Sequence, residues 1–279
     1  MMTPKQQKVG LCFMVKDKQI HEDVWSAFFE DPIAALMPVA VHAYSGDDRV
    51  RLPHKRIPTR PTAWSSVSSV LVEYELYKAL FADPDVAVCC LLSESCVPTV
   101  TAPRFYHQAL AVKRVRCATI VDDITGTRAG DQFKVISRGS FEQFDAFMCQ
   151  PGALRALAKS IFVPVNSDDE SDWLLQRMMP SQGRVQLSPE EILVHTILRV
   201  RQSRNGVVYV QCTAQPTEEE MRLRPERCAV DPHRPQVLSN IYTTKLQLRS
   251  VRKKHLWARK LTPGAARALW DLAQADSRM

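Results

Sequence analysis

The stretch "VAVCCLLSESCVP", Val86 to Pro98, carries the clearest structural signal in the sequence. Its apolar part ends abruptly at a polar triplet, Ser93 to Ser95, and a cysteine and a proline follow. A short apolar run bounded by polar and turn-forming residues is typical of a strand that is buried on both faces. The sequence therefore predicts a buried strand whose carboxyl end leads into a polar loop.

Alternating strand and helix patterns surround this stretch. We predict strands over 8–15, 36–44 and 86–93, and helices over 21–31, 65–83 and 102–112. Such alternation favours an α/β fold with a mostly parallel sheet and helices on its faces. Serines at the start of the long amphipathic 65–83 helix are predicted to cap its free N–H groups. Ligands of such sheets bind beyond the carboxyl ends of the strands, where 42–48 and 93–98 are expected to lie.

The second half of the sequence is less regular. We predict a strand followed by a Gly139-Ser140 turn, further helices over 152–162, 168–179 and 188–203, and a strand over 206–212. There is no internal repeat and no long low-complexity linker. The whole chain, 1–279, is therefore predicted to be one compact domain.

Composition and cysteine spacing set outer limits. The 279 residues are 45% hydrophobic and 24% charged, and no window holds enough consecutive apolar residues for a membrane-spanning helix. The polar N-terminus leads straight into a predicted strand, so we expect neither a signal peptide nor an anchor. Eight scattered cysteines without a C-x-x-C pair favour reduced thiols over disulfides or a zinc site. We expect a soluble, cytoplasmic protein.

The formal charge of +7 is unevenly distributed, and Lys245 to Lys260 is rich in lysine and arginine. A basic segment can bind nucleic acid, an anionic membrane or a phosphorylated ligand, or can simply be a solvated face. Interleaved apolar residues predict that part of this segment packs against the body of the protein. A non-catalytic nucleic-acid-binding module is supported by charge alone, because no zinc spacing and no helix-turn-helix pattern accompanies it.

Five motifs occur in the order in which the core-2/I-branching glycosyltransferases carry them, a family that includes plant enzymes and peptide xylosyltransferases. The first three are a tryptophan that opens a helix (Trp64), L-L-S-x-x-C-x-P (Leu91 to Pro98) and a Gly-Ser turn (Gly139-Ser140). The last two are P-E-E-x-x-x-x-T (Pro189 to Thr196) and a terminal A-R-K (Ala258 to Lys260). His42 also matches the family's histidine after the second strand. Over 57–261 the sequence therefore resembles this family.

The resemblance implies a GT-A fold and an inverting transfer of a sugar from a UDP-sugar to a hydroxyl of a glycan acceptor. Residues 1–112 would form the nucleotide-sugar-binding half and 113–279 the acceptor-binding half. The A-R-K form favours UDP-xylose as donor, with UDP-N-acetylglucosamine as the alternative. No nucleic-acid partner is implied, and a degenerate relative that binds a sugar nucleotide without turnover is a third reading.

The resemblance also places the general base of the reaction. An inverting transfer needs a carboxylate to take the proton of the attacking hydroxyl. The family's motif places that base at Glu191. The adjacent Glu190 points about 100° away on a helix and is better explained by a favourable interaction with the helix N-terminus.

The reaction also needs a group that neutralises the negative charge on the departing diphosphate. The loop Ser93-Glu94-Ser95 stands where most GT-A enzymes carry a metal-binding D-x-D, and one carboxylate is a poor cage for Mg or Mn. The sequence Asp83-Pro84-Asp85 does spell D-x-D, but its position before the strand predicts a turn. We therefore expect no metal cofactor, and the resemblance assigns the diphosphate to Arg259 and Lys260. A further arginine is open among three candidates, Arg234, Arg249 and Arg252.

Weaker expectations concern the nucleotide and the acceptor. His42 and Trp64 match family residues near the donor, and Tyr44 stands where some members have an acidic nucleotide contact. Glu94 and Ser95 are candidates for the acceptor or donor sugar. The neighbouring acceptor loop would be formed by the residues around the Gly-Ser turn, Arg138, Gly139 and Ser140.

Overall fold

A computed structural model provides the structure of the chain. It describes residues 6–15, 21–43, 55–58, 60–63, 65–94, 96–112, 115–117, 120–121, 128–129, 134–164, 173–180, 189–198, 256–259 and 263–277.

A six-stranded sheet forms the centre of the fold, in the order β3-β2-β1-β4-β9-β6. Its strands are β1 (Lys8–Val15), β2 (Val39–Ala43), β3 (Lys55–Arg56), β4 (Val86–Ser93), β6 (Val115–Cys117) and β9 (Lys134–Ser137). The four strands β1 to β4 are parallel, whereas β9 runs antiparallel to β4 and β6 antiparallel to β9. The predicted α/β fold with a mostly parallel sheet is confirmed.

Within the described ranges, three small two-stranded sheets accompany the central one. They pair β5 (Cys96–Pro98) with β12 (Trp257–Arg259), β7 (Ile120–Val121) with β8 (Arg128–Ala129), and β10 (Phe162–Pro164) with β11 (Met178–Pro180). The first of these brings a segment from late in the sequence to the residues that follow β4.

Seven helices are described. They are α1 (Glu22–Phe29), α2 (Ser68–Phe81), α3 (Ala102–Leu110), α4 (Arg138–Met148), α5 (Ala153–Ile161), α6 (Pro189–Ile197) and α7 (Pro263–Ser277). A short 3-10 turn, Pro32–Leu36, lies between α1 and β2. Because α2 connects parallel strands, its first turn lies at the carboxyl edge of the sheet and its last turn near the start of β4.

Two apolar clusters cover the two faces of the sheet. One side of β1 and β4 packs with α1, α3 and α7, and the cluster contains Trp25, Phe28 and Trp270. The other side packs with α2, α4 and α6, around Tyr77, Phe141 and Leu193. Alternate residues of β4 enter opposite clusters, since successive side chains of a strand point to opposite faces. Its continuous apolar run follows from this two-sided burial.

The structure differs from the predicted elements in three places. Gly139 and Ser140 belong to the first turn of α4 and do not form a separate turn. Part of the predicted 168–179 helix is instead strand β11, because Met178 pairs with Pro164. The serines at the start of α2 do not cap it in the expected way, since the residue before the helix is Val67, which makes no side-chain capping bond.

Candidate functional site

The carboxyl edge of the parallel strands carries a row of three neighbouring residues. Met14 of β1 is the Cα partner of His42 in β2 and of Ser93 in β4. The pairing brings two predicted regions, the end of β2 and the loop after β4, to one edge of the sheet. This is the edge at which ligands of parallel α/β sheets bind.

His42 is fully buried in this row. Its Nε2 accepts a hydrogen bond of 3.1 Å from the backbone N–H of Arg60. Burial, and secondarily the charge of Arg60, lowers the pKa of His42 to about 4. The imidazole is therefore neutral at pH 7, and because Nε2 accepts, its proton is on Nδ1.

Four buried serines form the start of α2, and we call Ser65 to Ser69 the serine turn. Ser66 donates a 2.7 Å hydrogen bond to the carbonyl of Ala63, whose N–H donates back to Ser68 Oγ at 3.1 Å. Since Arg60 contacts His42, the short segment 60–63 connects the row on the sheet with the serine turn. The hydroxyls of this turn are therefore held by local contacts.

The first turn of α6 lies against the serine turn. Ser69 donates a hydrogen bond to the Oε2 carboxylate oxygen of Glu190, and both side chains are buried. The predicted base, Glu191, is the next residue of the same helix, and the structure describes its backbone only. The helix that carries the P-E-E motif thus begins at the carboxyl edge of the sheet.

A segment from the far end of the chain reaches the same region through β12. Arg259 is the Cα partner of Cys96, which follows β4 after the loop. Cys96 is buried, and its carbonyl accepts a 2.9 Å hydrogen bond from Trp25 Nε1. The backbone of Arg259, the predicted diphosphate residue, therefore lies beside Cys96, which follows Glu94 by two residues. Arg259 and Glu94 are close in the fold although they are far apart in sequence.

Some predicted residues are at the opposite edge of the sheet. The guanidinium of Arg138 donates 3.0 Å hydrogen bonds to the carbonyls of Val86 and Phe81, at the start of β4. Ser140 is buried beside the capping residue of α4, and Gly139 is exposed. Ser137, the residue before Arg138, pairs with Val88 of β4. Glu94 follows Val88 by six residues, so the two positions are about 20 Å apart along the direction of the strand. The structure does not bring Arg138, Gly139 and Ser140 together with Glu94, and they line an open groove of about 610 Å³ at this other edge.

The D-x-D sequence before β4 is a turn, as predicted. Asp83 accepts a 2.9 Å hydrogen bond from the N–H of Asp85 and a 2.7 Å bond from Lys8 Nζ. These bonds lower the pKa of the Asp83 carboxyl. In the described ranges, no three His, Cys, Asp or Glu side chains are grouped as a metal site requires.

The remaining predicted site residues are Tyr44, Trp64, Ser95, Arg252 and Lys260, and they lie outside the described residues. None of the helices in the described part of the chain is both long enough and apolar enough to span a bilayer.

The sequence does not predict the long-range contact of the serine turn. The pattern predicts capping serines, whereas Ser69 contacts a carboxylate 121 positions away. Ser65 also has a φ of 58°, the left-handed region that non-glycine residues rarely adopt. The available signal was a helix start with four polar residues in five, where an amphipathic pattern would have put apolar residues on the buried side.

Comparison with known proteins adds little. No protein-family model matches the chain, and no curated protein matches it. Among solved structures, a cytidylyltransferase from Leptospira borgpetersenii serovar Hardjo-bovis (strain JB197) is similar over 82% of this chain and 98% of its own length, with 10% sequence identity and a TM-score of 0.32. A likeness this weak carries no information on function.

Proposed function

We propose that the protein is an inverting glycosyltransferase of the GT-A type that transfers a sugar from a UDP-sugar to a hydroxyl of a glycan acceptor. One observation carries the proposal: His42, the loop after β4, the P-E-E helix and strand β12, which contains Ala258 and Arg259, come from distant parts of the sequence and meet at the carboxyl edge of one sheet. Three of the five motifs that carry the family resemblance, together with His42, would need this convergence to act together.

The proposed donor site lies over the ends of β2 and β4. The uridine would lie near His42, and the diphosphate near Arg259 and Lys260. Fixed cations can stabilise the charge that develops on a departing diphosphate, a task for which other enzymes use a divalent metal. We propose a metal-independent reaction, with UDP-xylose as the first donor to test and UDP-N-acetylglucosamine as the second.

Glu191 is the proposed general base. Its carboxylate takes the proton from the acceptor hydroxyl while that oxygen forms a bond to the anomeric carbon of the donor sugar. The bond between the anomeric carbon and the phosphate oxygen breaks, and its electron pair leaves with UDP. The contact of Glu190 with Ser69 supports this choice, because Glu190 is already committed to a buried partner.

Calorimetric titration with UDP and a panel of UDP-sugars tests the donor class. We expect UDP to bind and one UDP-sugar to be hydrolysed slowly in the absence of acceptor. Protein that binds no uridine nucleotide would overturn the proposed function.

Substitution of the base tests the mechanism. Glu191→Gln should leave UDP affinity nearly unchanged and lower turnover by at least about 100-fold, because an amide cannot accept the proton. The matched control is Glu142→Gln, which makes the same change at an exposed position of α4. Near-normal turnover of Glu191→Gln would show that the base is another residue.

A further inference from the structure

We infer that the hydrogen bond between Ser69 and Glu190 positions the general base, by fixing the first turn of α6 on the serine turn of α2. The inference rests on the proposed function, since it assigns a role to the residue beside Glu191. Neither Ser69 nor Glu190 is proposed to touch the substrate.

Burial makes this contact a strong constraint. Ser69 is 5% exposed and Glu190 9% exposed, so the carboxylate has lost most of its water. A carboxylate in such a place needs hydrogen-bond donors, and a hydroxyl that donates to an ionised group forms one of the stronger protein hydrogen bonds. The carbonyl oxygen of Ser66, 2.8 Å from Ser69 Oγ, is a second acceptor for the same hydroxyl proton, so the hydroxyl is held between the turn and Glu190.

The serine turn also holds the segment that precedes α6. The N–H of Met178 donates a 2.7 Å hydrogen bond to the carbonyl of Ser65, and the N–H of Ser68 donates at 2.9 Å to the carbonyl of Leu174. The Ser65 hydroxyl is 3.4 Å from the Met178 carbonyl. Strand β11 and the start of α6 are therefore anchored to the same five residues.

The left-handed conformation of Ser65 fits this anchoring role. A non-glycine residue with φ of 58° is maintained only where surrounding contacts over-determine it. Here the backbone carbonyl that the conformation presents is the acceptor for Met178. The turn is thus a rigid base for β11 and for the first turn of α6, which carries Glu191.

Catalysis should be sensitive to this anchor. Glu191 follows Glu190 directly in α6, so a rotation or shift of the first helical turn moves its carboxylate by a similar amount. A displacement of about 1 Å can lower the rate of an oriented reaction by about 100-fold. Donor binding depends on the other parts of the edge and should be preserved.

The experiment compares kcat and KM for the UDP-sugar that the titration identifies, using its hydrolysis as the assay. Ser69→Ala and Glu190→Ala should each lower kcat about 10- to 100-fold while the KM stays within about twofold. Glu190→Gln should recover most of the loss, because the amide oxygen still accepts from Ser69. The matched control is Tyr74→Phe, which removes a 2.7 Å hydrogen bond between α2 and Asp145 of α4 and should keep its kcat.

The outcomes separate positioning from simple stability. If Ser69→Ala lowers Tm to the same extent as Tyr74→Phe and keeps kcat, the inference is wrong. Equal losses of kcat in Glu190→Gln and Glu190→Ala would also overturn it, and this pair remains informative if Ser69→Ala does not fold. A wild-type protein without turnover overturns the proposed function and the inference with it, whereas an active wild type with unaffected variants overturns the inference alone.

Discussion

The neutral state of His42 has a measurable consequence for stability. The unfolded chain protonates this histidine near its ordinary pKa of about 6.5, whereas the folded protein does so only at about 4. Between these two values the unfolded state binds more protons. The stability that the neutral imidazole allows is therefore fully present above pH 6.5 and is lost as the pH falls toward 4.

We predict that the free energy of unfolding of the wild type decreases by about 3 kcal/mol more between pH 7 and pH 4 than that of His42→Gln. The glutamine does not titrate, so its contribution stays constant over that range. Urea denaturation at several pH values measures the difference. The exposed His107→Gln is the control, and a wild-type slope matched by His42→Gln would show that folding does not lower the pKa of His42.

Gly10 is required for close packing of β1 on its neighbours. A Cβ at this position would lie 2.7 Å from Cys89 Sγ and 2.8 Å from Leu80 Cδ1. We predict that Gly10→Ala destabilises the protein by about 1–3 kcal/mol. Thermal unfolding of Gly139→Ala provides the control, because nothing lies within 4 Å of a Cβ there. Equal Tm values for the two variants would contradict the packing described here.

At the scale of elements, Arg138 joins α4 to the start of β4. Its guanidinium donates to the carbonyls of Phe81 and Val86, and its charge lies 5.1 Å from the centre of the Phe81 ring. These contacts satisfy carbonyls at the C-terminal end of α2 and at the start of β4. The side chain is therefore a structural connection at the amino edge of the sheet.

We predict that Arg138→Ala lowers the free energy of unfolding by about 2–3 kcal/mol and leaves UDP affinity within about twofold. Urea denaturation and calorimetry measure the two quantities on the same sample. Arg267→Ala, which removes a mostly exposed ion pair within α7, should change neither by more than about 1 kcal/mol. A selective loss of acceptor or donor binding in Arg138→Ala would restore the role expected from the sequence.

The elements that the sequence predicted well are those with a continuous or strictly periodic pattern. Strands β1 and β4 have the predicted bounds, and α2 lies within the predicted 65–83 helix. Helix α7 was not predicted, although Pro263 and an alanine-rich run follow the usual pattern of a helix start. Glu73 could not be anticipated, because an amphipathic pattern assigns a glutamate to solvent and here it is fully buried.

The candidate site was predictable only in part, for a physical reason. The P-E-E helix begins at the carboxyl edge of the sheet and the backbone of Arg259 lies there, while the roles that the family motifs assign to them stay predictions. Arg138 lies at the other edge because β9 is antiparallel to β4. The direction of a strand cannot be predicted from the pattern of four residues. The Ser69 contact depends on tertiary packing between two helix starts.

At the scale of the whole molecule, the proposed donor site depends on charge that comes from the protein itself. Lys260→Ala should weaken UDP binding by about 10- to 100-fold, because a charge-assisted contact with the diphosphate is lost. Calorimetry at fixed ionic strength measures this. Lys159→Ala, at an exposed position of α5, is the control and should bind as the wild type does.

We predict that chelation changes little. UDP affinity and turnover in EDTA should stay within about twofold of the values without it, if the cationic residues neutralise the diphosphate as proposed. A complete loss of activity that added Mn restores would refute the metal-independent mechanism. A metal requirement would not affect the test of Glu191 as general base, because Glu191→Gln and the wild type are compared under identical conditions.

The row of His42, Met14 and Ser93 fixes a minimum ligand length. Adjacent strands lie about 4.8 Å apart, so the backbone positions of His42 and Ser93 are separated by two spacings, about 10 Å. A molecule that lies over both ends of the row must be at least that long and must pass over Met14, the partly buried residue between them. A free monosaccharide is too short to do so, and fragments that join two ligand moieties across Met14 would be the natural starting points for an inhibitor.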